Sequence, residues 1–354
     1  MGQLFKKAAV FTDIHFGKKS DSEQHNKDCL AYLDWFCEQT VANGCDTIIF
    51  CGDWFDNRSR LRVDTNWYAS EGISKLVATG LPIYWVIGNH DLYFKTSRDI
   101  HSLPFLYENY ASIKIIDKIE LIDDVLFCPW LIGTESALPQ TFKSKYVFGH
   151  FEFPLFLMNE SVECPDHGGI HMDFFHLCEY VFSGHFHKRQ IKINAHGIPV
   201  AYLGNAFSHD FNDAGDTDRG CMILEWDKEP VYLNWEEGPR YLRIPLSKLI
   251  EVIESDSFDK IVNDRSVVEC NDDMKIDHDT SLEIKEVVQN VVRDLRLKPA
   301  DDILDVEAET EVEGDEMTVE QMVLEHLTVL DTEGSDIENA TLIKIFEISK
   351  EKKQ

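Results

Sequence analysis

The sequence predicts an α/β protein: a two-sheet sandwich flanked by helices, with a small second α/β domain and a C-terminal helical tail. Three observations predict it. Residues 7–87 alternate apolar β-like runs with helical stretches in the order βαβαβ, the pattern of a largely parallel sheet covered on both faces. Residues 125–235 are rich in further strands, which need a second sheet packed on the first. A composition shift follows Glu236-Glu237-Gly238-Pro239, where the core is expected to end.

Taken in order, Lys7–Asp13 is an apolar run ending in a carboxylate and is assigned a strand. Leu30, Leu33 and Phe36 recur at helical spacing within His25–Val41, and Asn43-Gly44 closes that helix. Asp46–Cys51 is a strand, Asp64–Ala78 a helix and Pro82–Ile87 a strand. Val125–Trp130, Lys145–Phe148, Glu179–Phe182, Pro199–Leu203, Cys221–Trp226 and Val231–Trp235 supply the rest, giving a domain over residues 1–239. Residues 240–298 form the small α/β unit, with a strand at Ser266–Cys270 and a helix over Ser281–Leu295. An acidic linker follows at 299–315. The tail, 316–354, carries two capping boxes, Thr318-Val319-Glu320-Gln321 and Ser335-Asp336-Ile337-Glu338. Val319, Met322, Val323, Leu327 and Leu330 make one apolar stripe, and Ile337, Leu342, Ile345, Phe346 and Ile348 the other.

The chain has 354 residues, enough for two domains plus appendages, and its 44% hydrophobic content excludes wholesale disorder. No apolar run approaches the roughly 18 residues that span a bilayer. Met1–Phe11 reads as neither a secretory nor a myristoylation signal, since the apolar run is short and Lys6 sits where the latter wants a hydroxyl. Nine cysteines without framework spacing read as reduced thiols, so a cytosolic protein is expected, with no membrane partner. The net charge is -30, of which -19 lies in residues 251–354. Acidity alone argues against nucleic-acid binding, unless bound cations offset it or a partner supplies basic surface.

The chemistry is carried by polar clusters at strand ends: Asp13-Ile14-His15, Gly52-Asp53-Trp54-Phe55-Asp56, Gly88-Asn89-His90-Asp91, Gly149-His150 and Gly184-His185-Phe186-His187. Ligands bind at the carboxyl ends of strands in open α/β sheets, so five distant clusters converge on one place. Carboxylates and imidazoles together suit borderline divalent metals, and the absence of cysteine argues against a structural zinc site. One carboxylate bridging two cations holds them roughly 3.5–4 Å apart, where they activate water and clamp a phosphoryl centre. Taken singly each cluster has a blander reading: a strand-end cap at Asp13, a turn at Gly52-Asp53, a hydrogen-bonded structural His150. Five such coincidences in order are required to dismiss the set.

The ordered motifs resemble the calcineurin-like metallophosphoesterases, over a core of roughly residues 3–240. Within that family, Gly52–Arg58, Gly88–Lys95, Ser183–Lys188 and Tyr202-Leu203-Gly204-Asn205 resemble the SbcD-type DNA nuclease subunits, of which the large-phage recombination endonucleases are one version. The resemblance implies that Asp13, His15 and His187 hold one metal, Asn89, His150 and His185 a second, and that Asp53 bridges them. It implies that His90 assists the leaving oxygen and that Asp91 orients His90. Two divalent ions per chain are implied, Mn²⁺ favoured over Mg²⁺ or another ion. So are a DNA substrate, a capping role for residues 240–298, an SMC-like ATPase partner docked by the C-terminal helices, and a homodimer within a heterotetramer. Cellular members often carry a histidine that positions DNA phosphate where this chain has Asp56.

Arg58, Arg60 and Arg62 form a basic loop beside the second motif, suited to phosphate contacts or equally to solubility. Tyr93 and Lys95 stand just past the third motif, and Tyr93 could stack on a splayed base. His167, His171 and His176 are assigned to a loop and a helix face, and Ser208–Arg219 to a solvated loop. The expected activity is metal-dependent DNA exo- or endonuclease cleavage in end processing, recombination and repair. The alternatives are another metallophosphoesterase (a protein phosphatase or cyclic-nucleotide phosphodiesterase) or a weakly catalytic DNA-end scaffold. Asp91 in place of glutamate disfavours the phosphatases, and the full set of seven ligands disfavours the scaffold.

Overall fold

The computed structural model describes residues 2–299, apart from 95, 104–109, 159–161 and 256. These belong to one of two units into which the chain divides, Met1–Asp302. Lys95, the acidic segment beyond Pro299 and the whole expected tail lie outside the described residues.

The elements run β1 (Lys7–Phe11), a short helical turn α1 (Lys18–Asp21), α2 (Glu23–Ala42), β2 (Thr47–Phe50), α3 (Val63–Ala78) and β3 (Ile83–Val86). A hairpin of β4 (Leu92–Phe94) and β5 (Ser97–His101) follows, then β6 (Ile113–Ile116), β7 (Glu120–Ile122), β8 (Val125–Cys128), β9 (Tyr146–His150) and β10 (Tyr180–Gly184). Next come β11 (Gln190–Ile193), β12 (Pro199–Tyr202), β13 (Gly220–Glu225) and β14 (Val231–Asn234). The last part holds β15 (Tyr241–Pro245), α4 (Leu246–Glu254), α5 (Phe258–Ile261), β16 (Val267–Asp272), α6 (His278–Val288) and β17 (Asp294–Pro299).

Two six-stranded sheets form the sandwich, in the orders β14-β13-β1-β2-β3-β6 and β11-β12-β10-β9-β8-β7. The inner strands of each sheet are parallel, and antiparallel strands sit towards the edges. Alternate residues of β1 serve different layers. Ala8 and Val10 pack between the sheets with Ile49, Phe127, Phe148 and Phe182, while Ala9 and Phe11 pack against Tyr32 and Phe36 of α2. A strand buried on both faces reads as a continuous apolar run, which is why β1, β2 and β3 stand out in the sequence.

Residues beyond Pro239 build a third, parallel sheet, β15-β16-β17, with its own apolar core of Leu246, Leu249, Val268, Val288 and Leu295. The helix expected over Ser281–Leu295 ends at Val288, and Asp294–Pro299 is a strand instead. Its Leu295 is buried and Leu297 half-buried while Arg296 and Lys298 are exposed, the alternation of a strand. This sheet is tied to the core by the Arg293 guanidinium, bidentate on Asp28 of α2 at 2.7 and 2.8 Å. No helix among the described residues is long and apolar enough to cross a membrane.

Candidate metal centre

The parallel strands of both sheets run to the same end of the sandwich, so β1 delivers Asp13, β2 Asp53, β3 Asn89, β9 His150 and β10 His185. Close approach of the sheets depends on glycine. A Cβ on Gly184 would stand 2.1 Å from Thr12 Oγ1 and 2.6 Å from the Cys51 carbonyl, and one on Gly88 would stand 2.1 Å from Asp53 Oδ1. Four site residues hold left-handed backbone: Asp13 at φ 50°, His15 at 53°, Asp53 at 63° and His185 at 97°. Such geometry costs on the order of 1 kcal/mol per residue and persists where the surroundings enforce it. Here Asp13 N–H donates to the Gly52 carbonyl at 3.0 Å, and Ile14 and His15 N–H both donate to the Asp53 carbonyl at 3.2 Å.

Asp91 is part of this enforcement. Its buried carboxylate accepts from the N–H groups of Gly88 at 2.9 Å, Asp53 at 3.1 Å and Trp54 at 3.0 Å. That differs from the expected role of orienting His90. The His90 Nδ1 instead donates to the Asp56 carbonyl at 2.6 Å, and its backbone N–H donates to Asp53 Oδ1 at 2.9 Å. Burial and the nearby Asp53 charge push the Asp91 carboxyl up to about 7.

The seven expected ligands are brought together. His15 Nε2 lies 3.7 Å from both Asp13 Oδ1 and Asp53 Oδ2, and 3.2 Å from His187 Nε2. His150 Nε2 lies 3.3 Å from Asp53 Oδ2 and 2.9 Å from Asn89 Oδ1, and His185 Nδ1 lies 3.1 Å from the same Asn89 oxygen. Asp13, His15 and His187 therefore form one group of ligand atoms, and Asp53, His150 and His185 another. Asp53 Oδ2 faces both.

The donor set fits divalent cations. His150 Nδ1 is committed to donating to the Cys51 carbonyl at 2.7 Å, so in the neutral ring Nε2 is a lone pair aimed at the Asn89 oxygen, another lone pair. His15 and His187 likewise aim Nε2 at Nε2. Only a proton or a cation reconciles such pairs. In the protein alone the proton does so. Burial works against a charged His15, but Asp13 and Asp56 raise it to about 10, and Asp53 raises His150 to about 9 against the same burial. Burial and the His15 charge lower His187 to about 4. Burial alone would push Asp53 up, yet the charges of His150 and His90 hold it well below the carboxylate range. Oxygen and imidazole ligands without thiolate are those of Mn, Fe or Zn rather than of a structural zinc site.

A supporting layer surrounds these groups. The loop Ser208–Arg219, expected to be solvated, is largely a buttress: His209 is fully buried, with its ring edge-on to His15, His187 and His25. Arg219 is buried too, donating to the His187 carbonyl at 2.5 Å and to Asp213 at 3.0 Å. Its hydrophilic letters hid this, since a buried polar network and a wet loop have the same composition. The α1 turn after His15 is left-handed, with Lys19, Ser20 and Asp21 at φ 57°, 57° and 61°. It points Lys18 inward, Nζ lying 3.7 Å from Asp56 and 3.8 Å from Asp210, while Lys19 bonds the Tyr241 hydroxyl of β15. Trp130 lies over His185, ring centroids 5.1 Å apart.

Of the expected DNA contacts, Asp56 sits at the centre, close to His15 and His90. Arg58 is half-buried, Arg60 is exposed, and Arg62 pairs with Asp64 at 2.8 Å. Tyr93 is exposed on β4 beside Phe94. His167 and His176 are exposed and His171 is half-buried, pairing with Asp173, and none joins the centre.

Exonuclease subunit 1 of Enterobacteria phage T4 is 27% identical over 225 residues, 61% of this chain and 64% of that protein, so the chain matches less than two thirds of the relative's length. A dimetal phosphatase from Danio rerio is 12% identical with a TM-score of 0.42, over 64% of this chain and 95% of that one. A phosphopantetheinyl hydrolase from Mycobacterium tuberculosis gives 12% and 0.32, over 56% and 89%. The family model of the calcineurin-like phosphoesterases matches residues 6–189, which takes in all five motifs. The chain belongs to the calcineurin-like phosphoesterase family, whose members are hydrolases that use divalent metals.

Proposed function

We propose that this protein is a two-metal DNA phosphodiesterase, the nuclease subunit of a complex with an SMC-like ATPase. The observation that carries the reading is Asp53 Oδ2, which faces His15 Nε2 at 3.7 Å and His150 Nε2 at 3.3 Å, one from each ligand group. Asp13, His15 and His187 would hold one divalent cation and Asn89, His150 and His185 the other, with Asp53 placed to serve both and Mn²⁺ the favoured ion. Cations bound there would supply water activation near neutral pH and charge neutralisation at phosphorus. His90, with Nδ1 fixed on the Asp56 carbonyl, keeps Nε2 for the leaving sugar oxygen. Burial lowers its proton affinity, and the negative charge of an arriving phosphodiester favours the protonated, donating form.

DNA as the substrate is supported by the similarity to a phage exonuclease subunit, a word that also implies an assembly. Arg58 and Arg60 beside the centre and the exposed Tyr93 are the candidate contacts to strand and base, with Lys95 as the further sequence-based candidate. Residues 240–298 cap the cleft, and the two amphipathic stretches within 316–354 dock on the ATPase, in a heterotetramer built on a nuclease homodimer in the cytoplasm. Loss of ATPase pull-down on deletion of 316–354, with Mn²⁺-dependent cleavage of short single strands intact, is the expected result.

The decisive assay follows cleavage of single-stranded and duplex ends with Mn²⁺, for the parent and for Asp53→Asn. Cleavage by the parent and none by the folded variant is expected. Near-normal turnover by Asp53→Asn overturns the two-metal reading, and preference for a phosphopeptide or cyclic nucleotide over DNA overturns the substrate.

A further inference from the structure

Of the four histidines at the centre, one has its outward ring nitrogen hydrogen-bonded to a carbonyl, and two have theirs facing a carboxylate. His150 uses the Cys51 carbonyl at 2.7 Å. His15 turns Nε2 inward, and its buried Nδ1, which has no hydrogen bond, lies 3.4 Å from Asp56 Oδ1, the acceptor a small rotation of either side chain would engage. His185 turns the opposite atom inward, Nδ1, and its Nε2 faces Glu152 Oε2 at 3.3 Å. The two carboxylates come from different strand ends, Asp56 after β2 and Glu152 after β9, and each stands behind a different ligand group. We propose that Asp56 and Glu152 are positioning residues, each fixing the tautomer and aim of one histidine, and so each setting the metal affinity of one half of the centre.

The chemistry requires such a partner. An imidazole can give a lone pair to a cation only from the nitrogen without a proton, and a carboxylate behind the ring holds the proton on the far nitrogen. The opposite choice of nitrogen in His15 and His185 makes the requirement visible, because neither ring could be aimed by a backbone rule common to both. Asp56 has one competing use: its carboxylate, His15 and His90 also form a third group of ligand atoms. A third cation is disfavoured, since the Lys18 ammonium already stands 3.7 Å from that carboxylate and would repel it. Asp56 thus serves His15, and Lys18 holds Asp56. Glu152 is about one third exposed and its pair is more open to water, so its effect is expected to be the smaller.

The inference rests on the two-metal reading, and the test separates the two. Full-length protein, stripped of metal, is titrated with Mn²⁺ and followed by electron paramagnetic resonance. Two Mn²⁺ joined by Asp53 give an exchange-coupled spectrum, and a half-filled centre gives a mononuclear six-line one. At a Mn²⁺ concentration that just fills the parent, Asp56→Ala and Glu152→Ala are expected to show the six-line form. The coupled form should return at roughly 10–100-fold more Mn²⁺, the usual penalty for losing such a partner. Asp56→Asn keeps an acceptor oxygen and should fall nearer the parent than Asp56→Ala, a difference that a merely structural role would not produce. Thermal unfolding of the metal-free variants checks the fold. Coupled spectra at the parent's concentration in both alanine variants overturn the inference and leave the two-metal reading standing. A parent that never shows a coupled pair overturns both.

Discussion

His15 Nε2 and His187 Nε2 stand 3.2 Å apart, His15 buried and His187 half-buried, and the proton between them belongs to His15. That proton occupies the place of a cation. His15 and His150 are raised to about 10 and about 9 in the metal-free protein, so both are charged at neutral pH. A cation must displace both protons. Apparent Mn²⁺ affinity is therefore expected to climb with pH up to about 9–10 and then level off. Calorimetric titration at pH 7.5 in buffers of different ionisation enthalpy should report release of about two protons per filled centre. The sign for stability is opposite. Two histidines raised above the ordinary value of about 6.5 stabilise the metal-free fold fully below that pH, and the contribution is lost as pH rises through 9 to 10. Metal-free protein should melt earlier across that alkaline window, and a flat profile there would refute the assignment.

His90 offers a separation of chemistry from metal binding. It touches the centre through its backbone N–H on Asp53, and its ring Nδ1 is held by the Asp56 carbonyl. His90→Ala should lower kcat by roughly 10²–10⁴-fold, the usual loss of a general acid, with metal content near that of the parent. Metal content and rate are measured on one sample. Joint collapse of both would make His90 a ligand or a structural residue.

The centre was legible in the sequence because its residues sit at strand ends beside glycines, and a glycine required by a close approach survives as a letter. Gly88 and Gly184 are examples: neither has room for a Cβ. The core strands were legible because burial on both faces leaves unbroken apolar runs. What was not legible depends on three-dimensional neighbours. His209 and Arg219 lie in a stretch whose acidic letters read as solvent-exposed, and only their packing against His15 and His187 reveals a buttress. The start of β17 falls within the expected helix because Val291 and Val292, just before it, and Leu295 within it also satisfy a spacing of three to four. The family resemblance makes Asp91 the partner of His90, yet its carboxylate turns to backbone amides of its own β3 end and of the β2 end.

Asp91 therefore supplies a test of stability rather than of rate. Its two oxygens together accept three buried N–H groups, Gly88 and Asp53 on one and Trp54 on the other. An orphaned buried N–H costs about 1–3 kcal/mol, so Asp91→Ala should lose several kcal/mol and melt far below the parent. Asp91→Asn is the informative variant. Its single oxygen can satisfy one side only, and its amide nitrogen would point a donor at another donor. It should lose less than alanine but more than a neutral surface change, typically under 0.5 kcal/mol. The Asp91 carboxyl stands at about 7 in the fold, pushed up by burial and the Asp53 charge. A carboxyl raised above its unfolded value of about 3.9 favours the fold most below that pH and gives up the advantage as pH rises through 7. Asparagine cannot ionise, so the stability gap between parent and Asp91→Asn should narrow from pH 4 to pH 8. Denaturant unfolding of metal-free protein at those two pH values measures it. If Asp91 acted instead by orienting His90, both variants would keep the parent's stability and lose kcat alone, and that pattern would return Asp91 to the role the family resemblance implies.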